Sequence, residues 1–165
     1  MIKFINIGNE KSAIKTLKQL KDNDYVPFDV KITNSHIMNL NQITQQNIFR
    51  KDVLYINSKT VWEIMQPQGG KGNHNYHGLT EKDVLLALSS FKDPYAVFVS
   101  KDLRFSIVSV KSSHFGLPLM TVIETDASLI VDAKAKINKV VTIYPKDNIN
   151  DYLNKIDQKL LIYKK

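Results

Sequence analysis

Tyr95-Ala96-Val97-Phe98-Val99-Ser100 follows a sharp break at Lys92-Asp93-Pro94 and reads as a strand rich in aromatic and β-branched residues. Lys101-Asp102 makes a turn, residues 104–111 a second strand, residues 112–116 a turn carrying His114, and residues 118–125 a third strand. Connections this short predict an antiparallel meander. The ambiguous stretch 126–137 follows, with Leu129-Ile130-Val131 favouring strand and Ala133-Lys134-Ala135-Lys136 favouring helix. Beyond it, Lys139-Val140-Val141-Thr142-Ile143-Tyr144 is a fourth strand. Pro145 precedes a helix through Ile149, Tyr152, Leu153 and Ile156, and Leu160-Leu161-Ile162-Tyr163 closes the chain as a strand.

Immediately upstream of the meander, His74-Asn75-Tyr76-His77-Gly78-Leu79-Thr80-Glu81-Lys82-Asp83 leads into the apolar helix pattern of Val84, Leu85, Leu86, Leu88 and Phe91. Thr80 stands as N-cap with Asp83 as the acidic partner of a capping box, and Leu79 with Val84 as a hydrophobic staple. His77 is thereby held just outside a helix N-terminus, a position that disfavours imidazolium and lowers its pKa unless an anion arrives. A lone histidine there is ordinarily a surface or cap residue. The flexible, basic approach Gln68-Gly69-Gly70-Lys71-Gly72-Asn73 favours contact with a ligand, which Lys71 and His74 would join.

Further upstream, residues 2–7 alternate weakly as a short strand. Ser12 opens a helix with Ile14, Leu17 and Leu20, and residues 25–33 give a strand with Pro27 at its start. Asn34-Ser35 caps a helix carrying Ile37, Met38 and Leu40, residues 41–47 are amide-rich and indistinct, and Val53-Leu54-Tyr55-Ile56 is a strand. Asn57-Ser58 caps a short helix ended by Pro67, in which Trp62 is a packing residue rather than a stacking platform.

The chain has 165 residues, 43% hydrophobic and 24% charged, enough for one domain with a real core. Its net charge of +7 favours a polyanionic partner, and Arg50 and Arg104 apart, all 23 basic residues are lysine. Lysine gives attraction to phosphates more than bidentate base readout. Cysteine is absent, which excludes disulfides, thiol nucleophiles and thiolate metal sites. No stretch approaches a membrane span and no secretion signal opens the chain, so a soluble, cytoplasmic protein without membrane contact is expected.

Chemistry narrows quickly. His74 and His77 have a usable metal spacing but no carboxylate cluster beside them, so neither metal nor cofactor is expected. Gly69-Gly70-Lys71-Gly72 lacks the spacing of a phosphate-binding Walker loop, and no Gly-x-Ser-x-Gly occurs. Strand alternation would put Lys139, Val141 and Ile143 on one face, and Val140, Thr142 and Tyr144 on the other. That hydroxyl pair, with Lys139 and Lys146 near the strand ends, suits a phosphate. An ordinary half-buried strand explains the same residues.

This layout resembles the C-terminal nuclease-like domain of MuF-type phage head proteins, placed with the barnase, EndoU, colicin and RelE-like nucleases. The resemblance rests on Tyr76-His77-Gly78-Leu79-Thr80, Lys92-Asp93-Pro94 with the strand after it, and Ser106-Ile107-Val108-Ser109-Val110. It continues through Gly116-Leu117-Pro118-Leu119-Met120-Thr121-Val122, Ile137-Asn138-Lys139-Val140-Val141-Thr142-Ile143-Tyr144 and the closing Leu160-Leu161-Ile162-Tyr163-Lys164-Lys165. It covers residues 53–165 as a core, with residues 1–52 as an N-terminal extension of a single nuclease-like domain. It implies an α+β fold with helices packed on a curved antiparallel sheet, barnase- or RelE-like, and a metal-independent RNase site.

The resemblance carries the helix-entry histidine onto His77, the strand asparagine onto Asn138, a hydroxyl residue often written as serine onto Thr142, and the following tyrosine onto Tyr144. The insert at 66–73 departs from the compact version. The expectation is an endoribonuclease-like toxin or phage effector in which His77 moves a proton. Thr142, Tyr144 and Lys139 serve the transition state, while Lys71, His74, Asn138 and Lys146 hold RNA. Its partners would be RNA and a cognate inhibitor or antitoxin protein. The alternatives are a non-catalytic RNA- or protein-binding module on the same scaffold, and a structural phage protein meeting packaged DNA.

Overall fold

A computed structural model describes residues 3–22, 26–68, 75–100 and 102–165. In chain order the elements are β1 (Phe4–Asn6), α1 (Glu10–Asp22), β2 (Asp29–Thr33), α2 (Asn39–Thr44), β3 (Leu54–Asn57), α3 (Ser58–Ile64) and α4 (Glu81–Ser89). They are followed by β4 (Pro94–Val99), β5 (Phe105–Ser112), β6 (Pro118–Ala127), β7 (Ile137–Pro145), α5 (Ile149–Lys155) and β8 (Leu161–Lys164). The strands form one open sheet in the order β1-β2-β3-β7-β6-β5-β4-β8. The α+β class holds.

The sheet is mixed rather than antiparallel throughout. β4, β5 and β6 pair antiparallel as the meander requires, and β7 and β8 extend it antiparallel on either side. On the far side, β1 pairs parallel with β2, and β3 pairs parallel with β7. Parallel neighbours need long crossovers, which α1 supplies for the first pair and the whole meander for the second.

Local caps set several helix starts. Asn9 accepts from Ser12 N at 3.1 Å, so α1 begins before Ser12 rather than at it, and buries Ala13, Leu17 and Leu20 along one stripe. Asn34 does not cap a helix: its side chain accepts from His36 N and donates to Leu88 O, shaping a turn, and α2 starts only at Asn39 within the amide-rich stretch. Asn57 caps α3 by accepting from Lys59 N. The stretch 128–136 forms neither helix nor strand. Its Ile130 N donates to Asp29 Oδ2 on β2 at 2.6 Å.

The main core joins α1, α3 and α4 to one face of the sheet, through residues such as Leu17, Ile64, Leu88, Val97, Ile107 and Ile143. A second, smaller cluster sets Leu153 of α5 against Ala96, Phe98, Val108 and Met120. Helices therefore cover both faces over the meander. Val140 and Ile143 both lie in the main core, although simple alternation puts them on opposite faces. The register between β6 and β7 shifts there: Val122 pairs with Thr142 but Ile123 with Val140, so Val141 is an extra residue. This bulge corrects the expected facing of β7 and turns Thr142 and Tyr144 off the main core. Among the described residues, no helix is long and apolar enough to cross a membrane.

Candidate active site

The segment entering α4 is fixed at each step. Thr80 Oγ1 accepts from Asp83 N at 3.1 Å, and Asp83 Oδ2 accepts from Thr80 N at 3.0 Å, completing the capping box. Gly78 N donates to Gln66 O at 2.7 Å and Leu79 N to Ile64 O at 3.0 Å, strapping the segment to the end of α3. Tyr76 meets Trp62 edge-on, ring centroids 5.7 Å apart. Gly78 has φ +65°, a left-handed turn that glycine enters without strain.

Between these anchors His77 reaches β7. Its Nε2 lies 3.3 Å from Thr142 Oγ1, and its ring centroid lies 5.7 Å from that of Tyr144. β3 pairs with β7 only as far as Val140. Beyond that point β7 has β6 on one side, and His77 meets Thr142 along this length. The histidine meets the hydroxyl within hydrogen-bond reach.

Electrostatics complement this contact. Burial lowers the His77 pKa below the ordinary histidine value, so the neutral ring is favoured. The direction is the one expected from its place before a helix, but the cause is desolvation. Neutral Nε2 either accepts the Thr142 hydroxyl proton or donates to that oxygen, according to tautomer. Burial raises the Tyr144 pKa, with repulsion from Tyr152 adding to it, so the phenol stays a protonated donor.

The other expected site residues go elsewhere. Lys139 Nζ lies 3.4 Å from Asp29 Oδ1 on β2, in a largely buried ion pair. Lys146 Nζ sits 4.4 Å from the centroid of the Tyr152 ring on α5, beside a cleft also lined by Asp147, Asp151 and Lys155. Asn138 is buried and donates to Lys51 O and Val53 O, tying the loop before β3. Lys71 and His74 lie outside the described residues. Among the described residues, no three His, Asp or Glu side chains converge as a metal-ligand set.

One arrangement escaped the sequence reading. Asp83, 4% exposed, also receives His114 N on Oδ1 at 3.0 Å and His114 Nδ1 on Oδ2. Burial pushes the Asp83 carboxyl up, but hydrogen bonds from Thr80 and His114 outweigh it and hold the pKa below the usual carboxylate value. The capping box was legible. Its link to a turn 31 residues away had no local signal.

No curated protein and no solved structure matches this chain. Residues 69–165 match the family described as the phage MuF-C-terminal domain. The matched part holds His77, α4, the five adjacent strands β7-β6-β5-β4-β8 and α5, and the three N-terminal strands extend that sheet from the β7 edge. The match takes in more than half of the sequence, and the chain belongs to the phage MuF C-terminal domain family.

Proposed function

We propose that this phage domain is a metal-independent endoribonuclease-like effector or toxin of the barnase and RelE-like kind, acting on RNA in a cytoplasm and held in check by a cognate inhibitor protein. The observation that carries this reading is the meeting of His77 Nε2 with Thr142 Oγ1 beside the Tyr144 ring, in a positively charged chain. Cleavage of RNA without metal needs a base for the 2′-hydroxyl proton, an acid for the leaving oxygen, and donors for charge on the phosphorane. His77, kept neutral by burial, takes the 2′-OH proton as the 2′-oxygen bonds to phosphorus. The P–O5′ bond breaks, and the 5′-oxygen receives a proton from the Tyr144 hydroxyl or from water. The Thr142 hydroxyl donates to a non-bridging oxygen. The products are a 2′,3′-cyclic phosphate and a 5′-hydroxyl.

Incubation of the purified chain with total RNA, with and without EDTA, tests this reading. Cleavage that survives EDTA and leaves cyclic phosphate ends supports it. Cleavage abolished by EDTA, or no cleavage at all, overturns the His-centred mechanism. A non-catalytic RNA-binding module is favoured by one observation: Lys139, the expected source of positive charge, is held by Asp29. RNA binding without cleavage would establish that alternative.

A further inference from the structure

Ser113, His114, Phe115 and Gly116 make a turn beside the His77 segment that the chemistry above leaves unused. The turn is rigid. Ser113 N donates to Leu117 O at 2.7 Å, Gly116 N to Ser113 O at 2.9 Å, and Phe115 N to Ser113 Oγ at 3.3 Å. Asp83, buried at the start of α4, grips both His114 N and His114 Nδ1. A surface turn fixed this firmly nevertheless displays its rings: Phe115 is 40% exposed and the His114 side chain 43%. The two rings lie against each other, centroids 3.8 Å apart and tilted by 39°.

Three features of this turn suit a nucleotide. First, a preorganised aromatic face takes any base by stacking, without a rearrangement. Second, Asp83 accepting from Nδ1 fixes the imidazole so that Nε2 is the atom available outward, and no described residue bonds it. Nε2 is then the ring atom left to meet a nucleotide. The cleft beside His114 is lined by Lys82 as well as by the carboxylates of Glu81 and Asp83. Third, the turn adjoins the His77 segment: a Cβ placed on Gly78 would lie 3.4 Å from Phe115 Cζ. One strand of RNA could then run from Thr142, past Gly78, onto Phe115.

We infer that His114 and Phe115 form a subsite for the neighbouring nucleotide of single-stranded RNA, Phe115 stacking its base and His114 Nε2 binding its phosphate. The inference rests on the RNA reading of His77 and extends it to a residue pair outside the cleavage centre.

Binding of a short, non-cleavable 2′-O-methyl RNA, followed by fluorescence polarisation, tests it with three variants. Phe115→Ala removes the stacking face, and Phe115→Trp keeps one. His114→Asn keeps a donor near the Nδ1 position for Asp83 while removing Nε2. Phe115→Ala and His114→Asn are each expected to weaken binding about tenfold, as loss of one stacked base or one phosphate contact does, with Phe115→Trp restoring it. Thermal melts of the same variants identify unfolding. If a variant melts early, binding by Phe115→Trp decides, retained affinity supporting the subsite and lost affinity overturning it. Wild-type affinity in Phe115→Ala and His114→Asn overturns the subsite while leaving the His77 reading intact. Failure of the wild-type chain both to bind this RNA and to cleave total RNA overturns both.

Discussion

His77 Nε2 lies 3.3 Å from Thr142 Oγ1, although 65 positions separate the two residues. The contact unites a segment fixed by the cap of α4 with the stretch of β7 that β3 leaves unpaired. Several measurable consequences turn on it.

Replacing His77 by Ala should lower RNA cleavage by about 10²- to 10⁴-fold, the usual contribution of a positioned proton-transfer group. Stability should change by less than about 1 kcal/mol, because the ring is half-buried and the backbone that follows it, at Gly78 and Leu79, is held independently by Gln66 and Ile64. Cleavage rates and thermal melts measured together check this. A fully active His77→Ala would remove the proposed base.

Thr142→Val should lower cleavage without unfolding the chain, since Thr142 lies off the main core and valine suits a strand. Thr142→Ser, which keeps the hydroxyl, should retain most activity. Equal rates for the serine and valine variants would show that the hydroxyl takes no part.

The pH profile of cleavage should have its acid limb below pH 6.5, because burial lowers the His77 pKa from that ordinary value. Protonation below this limb removes the base. Any alkaline limb from Tyr144 should lie above pH 10, since burial and Tyr152 raise that group. An acid limb above pH 6.5 would contradict the buried neutral histidine.

Asp83→Ala should be the most destabilising of these changes, by about 2–4 kcal/mol, since it removes a buried cap and orphans the donors of Thr80 and His114. The Asp83 pKa is lower folded than unfolded. Its contribution is therefore present above the ordinary value of 3.8 and is lost as pH falls through the folded value. Denaturant melts of wild type and variant between neutral and strongly acidic pH should converge at the acid end.

Gly78→Ala should cost about 1 kcal/mol, because alanine is strained at φ +65° and its Cβ would press on Phe115. If His77 depends on this turn for its aim, cleavage should fall further than stability does. Unchanged activity would show that the turn does not position the ring.

What the sequence determined was local. The meander followed from β-rich runs separated by short turns, and the start of α4 from Thr80 and Asp83, whose bonds span three residues. The lysine excess was legible as attraction for anions. Even local signals failed where two side chains competed: Asn9 rather than Ser12 caps α1, and Asn34 makes a turn. Tertiary structure decided the rest. The parallel pairings of β1 with β2 and β3 with β7, the extra residue at Val141, and the partners of Lys139 and Asn138 all join distant parts of the chain. So do the contacts of His77 with Thr142 and of Asp83 with His114. Periodicity and capping record the hydrogen bonds a residue makes with its neighbours, whereas these contacts arise only when burial of the common core sets one element's register against another's.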